Sequence, residues 1–505
     1  MIKSKRSLYN AASALLLSCL NGILGFIVTR LILSTYGSDF YGLNATATQL
    51  VNMLSILEGG FTVATNVAMF KPIAENDTKA INQIITATRN TFRKIGVLFL
   101  TAGVIGSVAY CFIVKTQLPN LTALLILLMA VLPSAFNFFY ATKYRILLQA
   151  EQKEYMISLA GICTVSVGYI VNIIVINLEL PVLTVRLVTM IFAFLQCFFI
   201  GWFCKKHYKY IDFTEKPNYA AIKGTRDIFV QKITGVIYST MPMLFISSMS
   251  GEGTKQTSVY AVYNNVFVLF KTLLHAVMDA PRLSFGQLIA EKDRDYVYKR
   301  FLQYELVVIC MLACTLSTIG VLIMPFIKLY TKGLSDINYT DPLIALLLLL
   351  ITAFEIVHIP SGHIINMSGN FHVGKRIQLI ACIVLVVSMT VGTLFFDVYG
   401  ILSAILLTAV LLAFLEIGFV HKRYFSKIWP FFKLLIPNLI ICIVLTVVES
   451  ALLGTVSNYV VFALYGVLIF AVNTLVVGIA NFILNREGVV FMFSMFKHLL
   501  GRSPR

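Results

Sequence analysis

Runs of about twenty or more apolar residues recur along nearly the whole chain, and at 1.5 Å of rise per helical residue each matches the ~30 Å hydrocarbon core of a bilayer. Nothing else in the sequence restricts its folding as much. Read with that ruler, the chain carries roughly fourteen transmembrane helices, centred near residues 22, 55, 104, 132, 168, 192, 241, 274, 316, 354, 386, 409, 443 and 470. Of its 505 residues, 58% are hydrophobic and only 12% charged, and mean hydropathy is +0.86. That excludes a water-soluble globule of this size. The expected fold class is an all-α polytopic membrane protein.

A net charge of +17 could indicate a nucleic-acid partner, but the basic residues fall in short loops between apolar runs, which is a topology signal instead. With a cytoplasmic N-terminus, 32 of the 40 Lys and Arg lie in cytoplasmic loops or tails. Four (Lys115, Lys255, Lys328, Lys332) are external, and four (Arg30, Arg186, Lys271, Arg282) lie within helices. The even count then returns the C-terminus to the cytoplasm, and the expected location is the cytoplasmic membrane. The first run, 8–35, follows Lys3, Lys5 and Arg6 but is too long for a signal-peptide core, so it is kept as a span. Nine cysteines are scattered through apolar segments without a C-x-x-C pair, which favours packing over a disulfide framework or a metal site.

The chain also repeats itself. Ile73-Ala74-Glu75-Asn76-Asp77 follows the second span and Ile289-Ala290-Glu291-Lys292-Asp293 the eighth, 216 residues later. An even number of intervening spans makes the repeat parallel, with a central cavity expected between two six-helix lobes. The lobes are drawn at 1–215 and 216–428, with two additional helices and a basic tail at 429–505. The basic, aromatic segment 205–226 between them reads equally as an interfacial helix or a solvated linker.

Polar residues within the spans mark candidate sites. A membrane helix is predicted over 260–293, and on it Lys271, His275, Asp279 and Arg282 fall within about 80° of one another. Ionisable groups at membrane depth normally line a protein interior or a wet route; the alternative is that Lys271 and Arg282 form structural pairs with Asp279. On the second span Asn44, Thr48, Asn52, Ser55, Gly59, Thr62 and Asn66 share a similarly narrow face with Glu58 at its margin, either lining a cavity or satisfying interhelical contacts. On the tenth, Glu355, His358, Gly362, Asn366 and Gly369 share a face, with a kink expected at Pro360. Glu355 and His358 could handle a proton or form a permanently neutral pair. Arg186 is expected to snorkel outward, and Arg30 is open between that role and a ligand role. There is no G-x-x-x-x-G-K-[ST] phosphate loop, which argues against an ATP-driven pump within this chain.

Several stretches resemble the Gram-positive branch of the Wzx-type polysaccharide transporters: Tyr41-Gly42-Leu43-Asn44, the run from Phe70 to Asp77, that from Asn137 to Arg145, and that from Leu147 to Lys153. Their wider superfamily includes lipid II flippases and multidrug and toxic compound extruders. The resemblance implies a non-enzymatic flippase that moves an undecaprenyl-pyrophosphate-linked oligosaccharide from the inner to the outer leaflet by alternating access. The product would enter capsule, exopolysaccharide or cell-wall polysaccharide. In that reading Lys271, Arg282, Arg30, Asn44, Asn52 and Asn66 bind pyrophosphate or sugar, while Asp279, Glu58, Glu355, His275 and His358 serve ion coupling. No cofactor is expected beyond H+ or Na+ as the coupling ion; the partners are the lipid-linked oligosaccharide and the bilayer, with a polysaccharide polymerase and assembly proteins as further candidates. The chain departs from the lipid II flippase pattern in having no arginine cluster in its first helix, which weighs against lipid II as substrate. Two alternatives stay open: a drug or metabolite antiporter of the same fold, and a membrane polysaccharide polymerase.

Overall fold

A computed structural model describes residues 2–222, 226–279 and 282–490, and among them every regular element is helical. The chain divides into two compact units, residues 1–259 with 334–337, and residues 260–333 with 338–505.

The first unit contains α1 (Ile2–Leu54), α2 (Phe61–Glu75), α3 (Thr78–Cys111), α4 (Asn120–Tyr140), α5 (Thr142–Ala150), α6 (Glu154–Asn177), α7 (Val182–His207), α8 (Arg226–Met249) and the start of α9 (Thr254–Met278). The second holds the rest of α9, then α10 (Arg282–Glu291), α11 (Arg294–Tyr330), α12 (Pro342–Val357), α13 (Ile359–Met367), α14 (Phe371–Ile417), α15 (Trp429–Leu452) and α16 (Tyr459–Leu484). By length and composition, twelve helices among the described residues can cross a membrane, against the fourteen expected. The difference lies in two long stretches, 9–58 and 371–424, of 50 and 54 residues. Each exceeds the ~40 residues that two crossings need, and each contains a non-helical residue, Gly37 and Asp397 respectively. At Asp397 the chain folds back: Gly392 and Gly400 approach so closely that a Cβ on either would overlap the other's backbone.

Element boundaries repeat with the sequence. Helix α2 ends at 75 and α10 at 291; α3 starts at 78 and α11 at 294, each pair 216 residues apart. The repeated pentapeptide has a folding reason. Asp77 caps α3 by accepting from the Ala80 amide at 2.9 Å, and Asp293 caps α11 by accepting from the Tyr296 amide at 3.2 Å. Each thereby satisfies one of a helix's orphan N–H groups. Further on, the nine-residue α5 and α13 begin at 142 and 359, so the spacing is nearly kept.

Helix α11 is the axis of the second unit, buried along most of its length, and it packs against α12, α15 and α16. The two last helices are fixed to the unit partly by amides, which gain from pairing where water is excluded. Asn438 and Asn481 exchange side-chain hydrogen bonds at 3.1 and 2.7 Å, and Asn473 donates to Thr318 at 3.1 Å. Their outer faces carry exposed Ile440, Val444, Leu464 and Val467, as a lipid-facing surface should.

Candidate functional site

The helix expected over 260–293 is two helices. Helix α9 ends at Met278, α10 begins at Arg282, and the sequence has Pro281 between them, a residue type that removes the amide an unbroken helix would need. The four residues read as one stripe are therefore divided, with Lys271 and His275 on α9, Asp279 past its end and Arg282 opening α10. The second span is interrupted too. A 3-10 turn, Ser55–Glu58, is followed by Gly59 and Gly60 at φ 60° and 78° before α2 starts. Two successive left-handed residues cannot continue a helix and are affordable only without a Cβ, so the Asn44-to-Asn66 face is not one face.

In the second unit, the ionisable side chains meet partners from other helices. Lys271 Nζ lies 3.0 Å from Glu355 Oε2, with side chains 23% and 16% exposed, so this pair links α9 to α12 and is half-buried rather than sealed. It replaces the expected pairing of Lys271 with Asp279. Asp279 instead meets His363 Nε2 at 3.2 Å, and His363 Nδ1 lies 3.1 Å from the Tyr304 hydroxyl, which donates to the Met278 carbonyl at 2.8 Å. Arg282 and His275 are close enough to act electrostatically on His363. Arg282 is exposed and, among the described residues, in no ion pair. His275 is half-buried.

The kink expected at Pro360 falls at His358, the junction of α12 and α13, because a proline disturbs the turn preceding it. The break separates His358 from Glu355, and the two do not pair. His358 Nδ1 contacts Glu416 Oε2 of α14 at 2.9 Å. Gly362 leaves room for that carboxylate, since a Cβ there would stand 2.9 Å from Glu416 Oε2. A further pair, His421 with Glu305 at 2.8 Å, is almost wholly buried, at 0% and 1% exposure. Sequence reading missed His363, Glu416, Glu305 and His421, because each sits in a helix whose own pattern is apolar. The signal for Glu416 was Gly362, one small residue where a neighbour must approach.

The first-unit candidates are dispersed. Glu58 pairs with Lys232 at 3.0 Å, a partner from α8. Asn66 donates to Gln149 at 3.1 Å, and Asn52 to Gln49 at 3.3 Å. Asn44 accepts from Arg186 at 2.8 Å, and Arg186 is 9% exposed, so it turns inward rather than snorkelling; an amide partner in the unit holds it there. Arg30 is half-buried in α1 and meets none of the other candidates in a printed contact of this group. The segment after α7 is neither an interfacial helix nor a solvated linker. Residues 208–222 run without helix along the unit, anchored where Asn82 bonds the Tyr210 carbonyl and the Asp212 amide at 2.9 and 3.2 Å, and Ile222 is buried.

With this geometry in view, the chain can be compared with solved structures. The lipid II flippase MurJ in an inward closed conformation is similar over 92% of this chain and 98% of its own, with a TM-score of 0.66 and 13% identity. An inward-facing multidrug resistance MATE family transporter of the MOP superfamily is similar over 82% and 94%, at 0.62 and 13%. The MATE multidrug transporter DinF-BH in complex with R6G is similar over 84% and 96%, at 0.59 and 13%. This chain has their fold. At such identity the likeness speaks for architecture alone. No protein-family model matches the chain, and no curated protein matches it by sequence.

Proposed function

We propose that the protein is a flippase for lipid-linked oligosaccharides, carrying an undecaprenyl-pyrophosphate-linked repeat unit from the inner to the outer leaflet by alternating access. The observation that carries the reading is Arg282, an exposed cation opening a short helix directly after a membrane helix and, among the described residues, without an ion pair. Helix α9 has 25 residues, about 38 Å of rise. If the basic loops are cytoplasmic, Arg282 then stands at the inner boundary and Lys271 within the bilayer. In this proposal Arg282 meets the pyrophosphate first through charge-assisted hydrogen bonds. Lys271 exchanges Glu355 for phosphate oxygens as the headgroup advances.

A sugar and a pyrophosphate cannot cross about 30 Å of hydrocarbon unshielded, whereas a polyprenyl tail can remain in lipid. With the inside negative, each negative charge moved outward gains about 2.3 kcal/mol per 100 mV. Glu355, once released by Lys271, and the His358–Glu416 and Asp279–His363 contacts are the groups proposed to take up H+ and reset the carrier. Glu58, held by Lys232, is assigned the same role in the first unit.

The test is reconstitution of the purified chain in liposomes with a fluorescent polyprenyl-pyrophosphate oligosaccharide in one arm and a cationic dye in the other. Leaflet transfer of the lipid, accelerated by an inside-negative potential, is expected. Dye transport without lipid transfer would replace the proposal with a multidrug antiporter.

A further inference from the structure

A second group of cations lies in the first unit, away from every residue used above. Lys143, on α5, is 8% exposed, and its ammonium stands 4.9 Å from the centre of the Tyr144 ring, 5.5 Å from Tyr140 and 5.7 Å from Phe213. The same rings carry other cations on them. The Arg89 guanidinium is 4.8 Å from Phe213 and Lys205 Nζ 5.5 Å from Tyr140. Arg93, one turn after Arg89, is exposed, as is Lys205. Among the described residues, no hydrogen bond or ion pair reaches the Lys143 ammonium, and the charges that act on it, those of Arg93, Arg89 and Lys205, are all positive. Glu151, the acid farther along α5, is already engaged by Lys153 at 2.6 Å and Tyr208 at 2.7 Å.

A lysine whose only task is to mark the cytoplasmic side of a helix extends into water. Lys143 is instead enclosed by rings beside like charges. Burial and those neighbours bring its ammonium down to about 8. Cation–π contacts are each worth about 0.5–2 kcal/mol, and they leave the positive charge of the corner uncancelled. The 216-residue repeat sharpens the point. The positions equivalent to Arg89 and Lys205 are Glu305 and His421, which neutralise each other in the second unit. A closed pair is therefore compatible with this corner of the fold, and the first unit carries cations there instead.

We propose that the Arg89–Arg93–Lys143–Lys205 corner binds the phosphate of a lipid headgroup, with Arg93 and Lys205 receiving it at the rim and Arg89 and Lys143 behind them. The aromatic rings hold the cations apart and give the glycerol or prenyl segment next to the phosphate an apolar wall. The inference does not depend on the proposed flippase activity, because none of these residues belongs to the α9–α13 group.

The test is native mass spectrometry of the purified full-length chain, titrated separately with phosphatidylglycerol, phosphatidylcholine, undecaprenyl phosphate and inorganic phosphate. Phosphate-bearing anionic lipids should bind, and phosphatidylcholine should bind about ten-fold more weakly. The rim variant R93Q/K205Q should weaken anionic-lipid binding about five-fold per charge removed, the usual scale for a basic residue at a lipid headgroup. K79Q/K216Q, which removes two exposed cytoplasmic-loop lysines, should leave it unchanged. Both rim positions are exposed, so these variants are expected to fold. Preference for phosphatidylglycerol would identify a bulk leaflet lipid as the occupant, preference for undecaprenyl phosphate would identify a carrier lipid, and inorganic phosphate competing with both would assign recognition to the phosphate itself. Equal binding of phosphatidylcholine, or anionic-lipid binding untouched in R93Q/K205Q, would overturn the proposal.

Discussion

One corner of the fold occurs twice in this chain and is solved in two ways. In the second unit, Glu305 of α11 and His421, in the π-helical turn Gly418–Tyr424 that follows α14, meet at 2.8 Å with almost no exposure. Tyr298, Phe301, Phe425 and Phe431 surround the imidazole. In the first unit the equivalent positions are Arg89 and Lys205, joined by Lys143 and Arg93 and faced by Tyr140, Tyr144 and Phe213. Both corners are aromatic; they differ in whether charge is cancelled internally. The closed corner is built for stability and the open one for a ligand, since an uncancelled buried charge costs stability unless something else meets it.

The largest effect should come from breaking the closed corner. Glu305→Leu or His421→Leu alone should destabilise the protein by about 3–5 kcal/mol, the usual result of stranding one member of a buried pair. The E305L/H421L double variant should recover most of that loss in thermal unfolding in detergent. Equal damage in singles and double would mean that shape, not charge, holds this corner.

The open corner should respond with the opposite sign. Because Lys143 titrates at about 8 in the folded protein and near 10.4 in an unfolded chain, the unfolded state binds more protons between those values. Stability contributed by this position is thus fully present above about 10.4 and lost as pH falls through 8. At neutral pH, Lys143→Met should raise stability by on the order of 1–3 kcal/mol. It should also remove that part of the pH slope seen between 8 and 10 in the wild type. Phosphatidylglycerol, if it occupies the corner, should flatten the wild-type slope as the variant does. A K143M protein less stable than wild type at pH 7 would contradict the open-corner reading.

A smaller change is expected at Lys271–Glu355, which is half-buried and so partly screened. Glu355→Gln should cost about 1 kcal/mol in unfolding while changing the pH dependence of transport, which a purely structural pair would leave alone. Least of all should follow from Lys299→Gln, which breaks a 2.8 Å contact with Glu487 between side chains 64% and 78% exposed. Its melting temperature should be indistinguishable from wild type in moderate salt.

The sequence carried the architecture well, because span length is set by bilayer thickness and the repeat by matching capping residues such as Asp77 and Asp293. Position along the chain was legible; helix continuity was not. A wheel drawn over 260–293 assumes an unbroken 100° step, and the end of α9 at Met278 resets it, placing Arg282 on another helix. Pro360 did announce a break, but its position at His358 decided that Glu416, not Glu355, would be the imidazole's partner. Nor could the sequence pair residues far apart in the chain. Lys271 with Glu355 and Glu305 with His421 are 84 and 116 residues apart, and no local periodicity reports on such contacts.

The most direct test of the central claim is leaflet transfer of a polyprenyl-pyrophosphate oligosaccharide in liposomes by K271Q/R282Q, with correct insertion checked by protease accessibility. The proposed route requires transfer by this variant to fall to the rate of protein-free liposomes, while R93Q/K205Q retains measurable transfer. Transfer at the wild-type rate by K271Q/R282Q would show that the headgroup passes without these cations, and the route assigned here to the second unit would be wrong.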